Sequence, residues 1–137
     1  KELGTEFDYV CCIYPTAPFV TSQKLIDAMK CLESDDVESV YPIIQYSFPP
    51  QRAVVLNDGY AEFIHPENMF VRSQDLEPIY HDCGQFYFLK TQAFIEQNKL
   101  LLNKTKPIIV SELEAQDIDN VDDWKLAEIK YQLVIRK

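Results

Sequence analysis

Glycine is scarce in this chain. Only Gly4, Gly59 and Gly84 occur in 137 residues. No glycine-rich phosphate loop can be built from them, so the usual cradle for a nucleoside triphosphate is missing. Arginine is scarcer in effect: Arg136 sits at the carboxyl terminus, leaving Arg52 and Arg72 as the internal guanidinium groups. His65 and His81 have no metal-ligand spacing, and no Ser-His-Asp or Cys-His arrangement can be argued from residue order. Cys11, Cys12, Cys31 and Cys83 contain no C-x-x-C pair, which argues against a structural zinc site and for buried free thiols in a reducing compartment. No apolar run is long enough to span a bilayer. The opening residues Lys1 to Glu6 are polar and carry no signal-peptide pattern, so a cytoplasmic protein without membrane contact is expected. Basic residues number 13 against 22 acidic ones, a net charge of -9, which disfavours nonspecific binding to nucleic acid.

What is present is an α/β pattern. With 47% apolar residues, the whole span 1–137 is expected to be a single domain. Asp8 to Tyr14 is a near-continuous apolar run, the signature of a strand covered on both faces in a parallel sheet. Thr21 or Ser22 can cap a helix whose stripe is Leu25, Ile26, Met29 and Leu32. Val37 to Ile44 is a second strand, so the order predicts a βαβ unit with a right-handed crossover. The pattern then breaks at Pro49-Pro50. Ala53 to Ile64, with Asn57-Asp58-Gly59 inside it, predicts a β-hairpin. Residues 45–84 therefore form an excursion from the main sheet. Strands at Gln85 to Leu89 and Pro107 to Val110 follow, with a short helix from Thr91 to Gln97. A last helix runs from about Val121 to Ile135, capped by Asn120, with Trp124, Ala127, Tyr131 and Val134 as its apolar face. Lys130, Arg136 and Lys137 suit the negative end of its dipole.

Four groups could carry chemistry. The segment Arg72 to Gly84 crowds a guanidinium, an amide, carboxylates, a phenol, an imidazole and a thiol into a stretch with no core periodicity. Asp117 and Asp119 lie two apart. On an extended segment they point the same way, roughly 6.6 Å apart at the backbone, and could converge on one Mg²⁺. The plainer alternative is that Asp119 helps cap the last helix and Asp117 is merely exposed. Tyr14-Pro15-Thr16-Ala17-Pro18 follows the first strand, where open α/β sheets bind ligands, or else is only a rigid turn. Arg52 and Arg72 suit carboxylate or phosphate oxygens, or else make surface ion pairs.

Three motifs, in order, make the chain resemble the cytidylyltransferases that produce CMP-linked nonulosonic acids, the CMP-N-acetylneuraminic acid synthetase family. They are Tyr14-Pro-Thr-Ala-Pro18, Arg72-Ser-Gln-Asp-Leu-Glu-Pro-Ile-Tyr80 closing on Cys83-Gly84, and Asp117-Ile-Asp-Asn-Val-Asp-Asp-Trp124. Pro49-Pro-Gln-Arg-Ala53 and Tyr80-His-Asp-Cys-Gly-Gln-Phe-Tyr87 look like its pseudaminic acid branch, as does Tyr14 where that family has Gln. The resemblance implies a three-layer Rossmann-like nucleotidyltransferase sheet with an inserted β-hairpin excursion that makes a homodimer. It implies CTP and a nonulosonic sugar acid as substrates, with Mg²⁺ held by Asp117 and Asp119 as the catalytic pair. It places Tyr14, Pro15, Thr16, Arg52, Arg72, Gln74, Asp75 and Tyr80 among the substrate-binding residues. The family opens with a strand and phosphate loop that this chain lacks, so the chain is expected to be a fragment with little activity alone. Three rivals stand beside this reading: an N-acetylneuraminate synthetase, a sugar-nucleotide glycosyltransferase using Asp-x-Asp, and a non-catalytic sugar-acid-binding or dimerisation module.

Overall fold

The computed structural model describes residue 4 and residues 6–134, and divides the chain into two compact units. The first comprises residues 1–44 and 82–137, the second residues 45–81. Arg136 and Lys137, expected to complement the last helix, lie outside the described residues.

The first unit is α/β. Its strands are β1 (Tyr9–Ile13), β2 (Ser39–Gln45, whose last residue belongs to the second unit), β6 (Phe86–Lys90) and β7 (Thr105–Ile109). The numbering leaves room for a hairpin, β3 (Val54–Asn57) and β4 (Tyr60–Phe63), and for β5 (Tyr80–Asp82), where the chain returns from the second unit. Among the described residues three α-helices accompany the strands: α1 (Ser22–Leu32), α2 (Thr91–Gln97) and α3 (Val121–Val134).

The expected βαβ unit is altered by an inserted strand. β1 pairs antiparallel with β6, Tyr9 opposite Lys90 through Ile13 opposite Phe86, and β6 pairs antiparallel with β2 at Ser39 and Val40. β1 and β2 therefore run the same way but are not neighbours. β2 pairs parallel with β7, Ser39 opposite Thr105 through Ile43 opposite Ile109, so the sheet is mixed. The ladder between β2 and β6 is short, and Pro42 has no N–H to extend one. The carbonyl of Pro42 instead accepts from the Cys83 thiol at 3.5 Å.

The strands alternate as a pleat requires. Phe86 faces a cluster with Ala28 and Leu32 of α1 and with Val37 and Val40. Tyr87 and Leu89 face the opposite way, against Leu102 and the partly buried Ala93 of α2. Thr21 caps α1, its hydroxyl accepting from the Lys24 N–H. Asn120 caps α3, its side chain accepting from the N–H groups of Asp122 and Asp123.

Three expectations are corrected. β1 is not covered on both faces. Val10 and Ile13 are 39% and 48% exposed and Cys12 is exposed, because β1 pairs only with β6 among the described residues. Only Cys83 of the four thiols is buried. Lys130 does not serve the end of α3; it reaches back to the carbonyl of Ala115 at 2.8 Å.

In the second unit, β3 and β4 form an antiparallel hairpin with Asn57 opposite Tyr60. Asp58 (φ 49°) and Gly59 (φ 86°) make its turn, the left-handed pair that a two-residue connection demands. Outside the hairpin the chain is held by polar anchors: the Gln51 amide donates to the Glu77 carbonyl at 2.8 Å, and the Asn68 amide to the Gln51 carbonyl at 3.2 Å. Among the described residues no helix is long and apolar enough to cross a membrane.

Candidate functional site

Because β1 and β6 are antiparallel, the end of β1 meets the beginning of β6. The Tyr14 N–H donates to the Gln85 carbonyl at 3.0 Å. Just before β6, Gly84 adopts φ +60°, a turn closed by its N–H donating to Asp82 Oδ1 at 2.9 Å. A Cβ on Gly84 would lie 3.8 Å from the Tyr14 ring and 3.9 Å from Asp117 Oδ1. Gly84 thus marks the point at which the end of β1 and the acidic segment before α3 come together.

The other oxygen of Asp82 accepts from the Tyr87 hydroxyl. Tyr87 is 5% exposed, with its ring 5.5 Å from that of Tyr14 and 5.7 Å from that of Tyr41. Burial pushes the Tyr87 phenol far above the ordinary tyrosine value, and its hydrogen bond to Asp82 pushes it further. Burial, and then the Asp82 charge, push the Cys83 thiol up to about 11, so it stays protonated at neutral pH. Neither Asp82 nor Tyr87 was singled out from sequence as a site residue. Their contact forms across the Gly84 turn that leads into β6; in the sequence, Asp82 falls within the crowded Arg72 to Gly84 segment and Tyr87 closes the Tyr80 to Tyr87 stretch, without either being named for a role.

Asp117 and Asp119 differ in their commitments. Asp117 Oδ1 accepts from the Ile118 N–H at 3.1 Å. The Asp119 carboxylate has no partner among the described residues, while its N–H donates to Asp123 Oδ2 at 3.1 Å. Asn120, not Asp119, supplies the helix cap, so capping does not account for Asp119. Among the described residues no cluster of three His, Cys, Asp or Glu side chains could hold a metal. The donor set fits a cation that uses one or two carboxylates and completes its shell with water and substrate phosphate, as Mg²⁺ does.

Pro15 and Thr16 border a cavity of about 460 Å³ whose other walls include Pro18, Ile118, Trp124 and Tyr131. The loop is pinned beneath by Phe19, 1% exposed and with its ring 6.3 Å from that of Tyr131, and by Lys24 donating to the Phe19 carbonyl at 2.9 Å. Trp124 is 55% exposed, so the expected apolar face of α3 is only partly covered.

The remaining candidates lie in the second unit. Arg72 holds Asp75 through two bonds, at 2.7 and 3.1 Å, the local ion pair that was the plainer alternative. Arg52 donates to the Ser73 hydroxyl at 3.3 Å. Gln74 is exposed, and Tyr80 opens β5. His65 pairs with Glu67 at 3.3 Å, and His81 packs at a tilt against Tyr46 with ring centres 4.4 Å apart.

Most of the chain is similar in sequence to known cytidylyltransferases. Over 128 residues, 93% of the chain, it is 30% identical to the pseudaminic acid cytidylyltransferase of Campylobacter jejuni. The chain is similar to pseudaminic acid cytidylyltransferases. A Helicobacter pylori protein named pseudaminic acid cytidylyltransferase and UDP-2,4-diacetamido-2,4,6-trideoxy-beta-L-altropyranose hydrolase is 28% identical over 91% of the chain and 24% of its own length. The N-acylneuraminate cytidylyltransferase of Streptococcus agalactiae is 24% identical over 80% of the chain and 27% of its own length. The chain spans 55% of the Campylobacter cytidylyltransferase, about half of that relative. No protein-family model matches it.

Proposed function

We propose that this chain is the carboxyl-terminal portion of a cytidylyltransferase that activates a nonulosonic sugar acid. The reaction is CTP + pseudaminic acid → CMP-pseudaminic acid + pyrophosphate. The observation that carries the reading is the 30% identity to pseudaminic acid cytidylyltransferases across 93% of the chain. The convergence of Tyr14 and Asp117 at Gly84 supports it, since one belongs to the strand-end loop and the other to the acidic motif.

In this reading the anomeric hydroxyl of the sugar attacks the α-phosphorus of CTP in line, and pyrophosphate leaves. The work of the protein is positioning and electrostatics. Asp117 and Asp119 hold Mg²⁺, which offsets phosphate charge when bound. Tyr14, Pro15 and Thr16 border the sugar and nucleotide. The wider architecture is a three-layer Rossmann-like sheet in a cytoplasmic homodimer. Exposed apolar side chains of the second unit, Leu56 at 81% and Phe70 at 91%, suit a subunit contact.

The test is pyrophosphate release from CTP and Mg²⁺ with pseudaminic acid, N-acetylneuraminic acid or no sugar. It is run on this chain and on the product of the same gene extended upstream. Activity only in the extended protein, and only with pseudaminic acid, is the expected result. Turnover of N-acetylneuraminic acid instead would replace the branch, and silence in both proteins would favour a non-catalytic sugar-acid-binding module.

A further inference from the structure

Three consecutive residues just before β6, Cys83 to Gln85, lie against the acidic segment. Cys83 and Ala115 share one buried cluster with Ile44 and Val110. A Cβ on Gly84 would lie 3.9 Å from Asp117 Oδ1. The Gln85 side-chain nitrogen donates to the Glu114 carbonyl at 2.6 Å. The backbone carbonyl of Gln85 also takes the Tyr14 N–H, so this one residue holds both the loop after β1 and the lead-in to Asp117. Gln85 is 2% exposed, and its side-chain oxygen is buried with no hydrogen-bond partner among the described residues. An orphaned buried oxygen costs stability and offsets what the single bond from the amide contributes. An apolar side chain of the same length would serve the core as well, but it could not hold the Glu114 carbonyl. Lys130 of α3 holds the next carbonyl, that of Ala115, at 2.8 Å. Two successive carbonyls are therefore gripped by side chains from two different elements. Two residues on, the Asp117 carboxylate accepts from the Ile118 N–H at 3.1 Å, and no side chain holds it among the described residues, so the backbone sets where it stands.

We infer that Gln85 and Lys130 are positioning residues that fix the Asp117 carboxylate beside the Gly84 turn, where it can take a divalent cation. The inference rests on the proposed reading that Asp117 holds Mg²⁺. Losing a partner one step removed from a ligating group commonly costs roughly 10–100-fold in metal affinity or activity.

The experiment works from both grips. Gln85→Met keeps length and apolar bulk while removing the donor and the orphaned oxygen together. Lys130→Met removes the second grip, and Lys130→Arg restores a donor. In the extended protein, Gln85→Met and Lys130→Met are each expected to raise the Mg²⁺ concentration for half-maximal rate about ten-fold, with KM for pseudaminic acid within about two-fold and most of the loss recovered in Lys130→Arg. The urea midpoint of Gln85→Met is expected to match wild type, because the lost bond and the lost orphan offset each other. Equal rises in the Mg²⁺ requirement and the sugar KM, or a loss of rate that tracks a falling urea midpoint, would overturn the inference in favour of a merely structural role. The second measurement needs neither metal nor turnover. In the ¹⁵N-labelled extended protein, the Ile118 amide reports on Asp117 through their hydrogen bond. It is expected to shift and to exchange faster with solvent in both methionine variants, while the amides of α1 stay at their wild-type positions. An unmoved Ile118 amide would overturn the positioning role whatever the kinetics. A moved amide combined with full turnover in Asp117→Asn would overturn the metal reading instead, and the inference with it.

Discussion

Lys24, two residues into α1, reaches the Glu114 carboxylate at 3.3 Å and the Phe19 carbonyl at 2.9 Å. The lysine side chain is 11% exposed and the glutamate side chain 33%. One ammonium group therefore ties the loop after β1 to the segment that leads into Asp117. Lys24→Met keeps the stem but leaves a carbonyl and a carboxylate without their donor. The expected loss is about 1–2 kcal/mol, discounted because Glu114 is partly solvated. Urea unfolding monitored by circular dichroism checks it.

Acid stability carries a related signature. The Ser111 hydroxyl, and after it the Lys24 charge, hold the Glu114 carboxyl below the ordinary glutamate value, against the opposing effect of burial. A carboxyl lowered in the folded state stabilises fully above its unfolded value, about 4.3, and that contribution is lost as pH falls through the lower folded value. Unfolding free energy measured from pH 6 to pH 3 is expected to fall less steeply in Glu114→Gln than in wild type. Parallel curves would contradict this.

Gly84→Ala separates backbone cost from crowding. The added methyl would meet its neighbours at 3.8 and 3.9 Å, which is ordinary contact, so the cost is that of φ +60° alone. A loss of about 1–2 kcal/mol is expected, with Gly84→Asn closer to wild type because asparagine tolerates the left-handed region. Denaturant midpoints for the two variants decide it, and equal losses would point to crowding instead.

Asp119→Asn is isosteric and removes a carboxylate that has no partner among the described residues. Stability should change little, whereas kcat of the extended protein should fall at least about 100-fold. Calorimetric titration with Mg²⁺ in the presence of CTP should lose its binding heat. Unchanged turnover would remove Asp119 from the metal site.

Thiol chemistry gives a direct check of the fold. Cys12 is exposed, whereas Cys83 is buried with its thiol pushed up to about 11. Maleimide labelling of the native protein followed by peptide mapping should modify Cys12 first and Cys83 last, and denaturation should abolish the difference.

The sequence is legible where the structure depends on local chemistry. Thr21 and Asn120 cap their helices, α2 runs from Thr91 to Gln97, and Asp58-Gly59 turns the hairpin. The failures lie where a residue's environment is set by a distant partner. The apolar run of β1 resembles a covered strand, yet cover depends on neighbours that periodicity cannot name. The placement of β6 between β1 and β2 has no local signature either. That placement in turn brings the Tyr14 ring to that of Tyr87, a contact with no local signature in the sequence. Tyr14, Asp117 and Asp119 were legible as candidates because their motifs carry an address as well as a composition. Arg72 and Asp75 were legible as residues but not as a mutual ion pair, since three-residue spacing in a turn permits several partners.

The antiparallel strand between β1 and β2 also orders events during synthesis. Tyr9 pairs with Lys90, and Ser39 with Leu89. Neither early strand can complete its ladder with β6 until the ribosome has delivered residues 86–90, after the hairpin has already emerged. A chain arrested before that point would hold two strands awaiting the same partner, with the edge of β1 that Leu89 and Phe88 later pair, at Val10 and Cys11, open to other chains. Closing so long a loop is slow, which makes the arrival of β6 the step at which folding and aggregation compete.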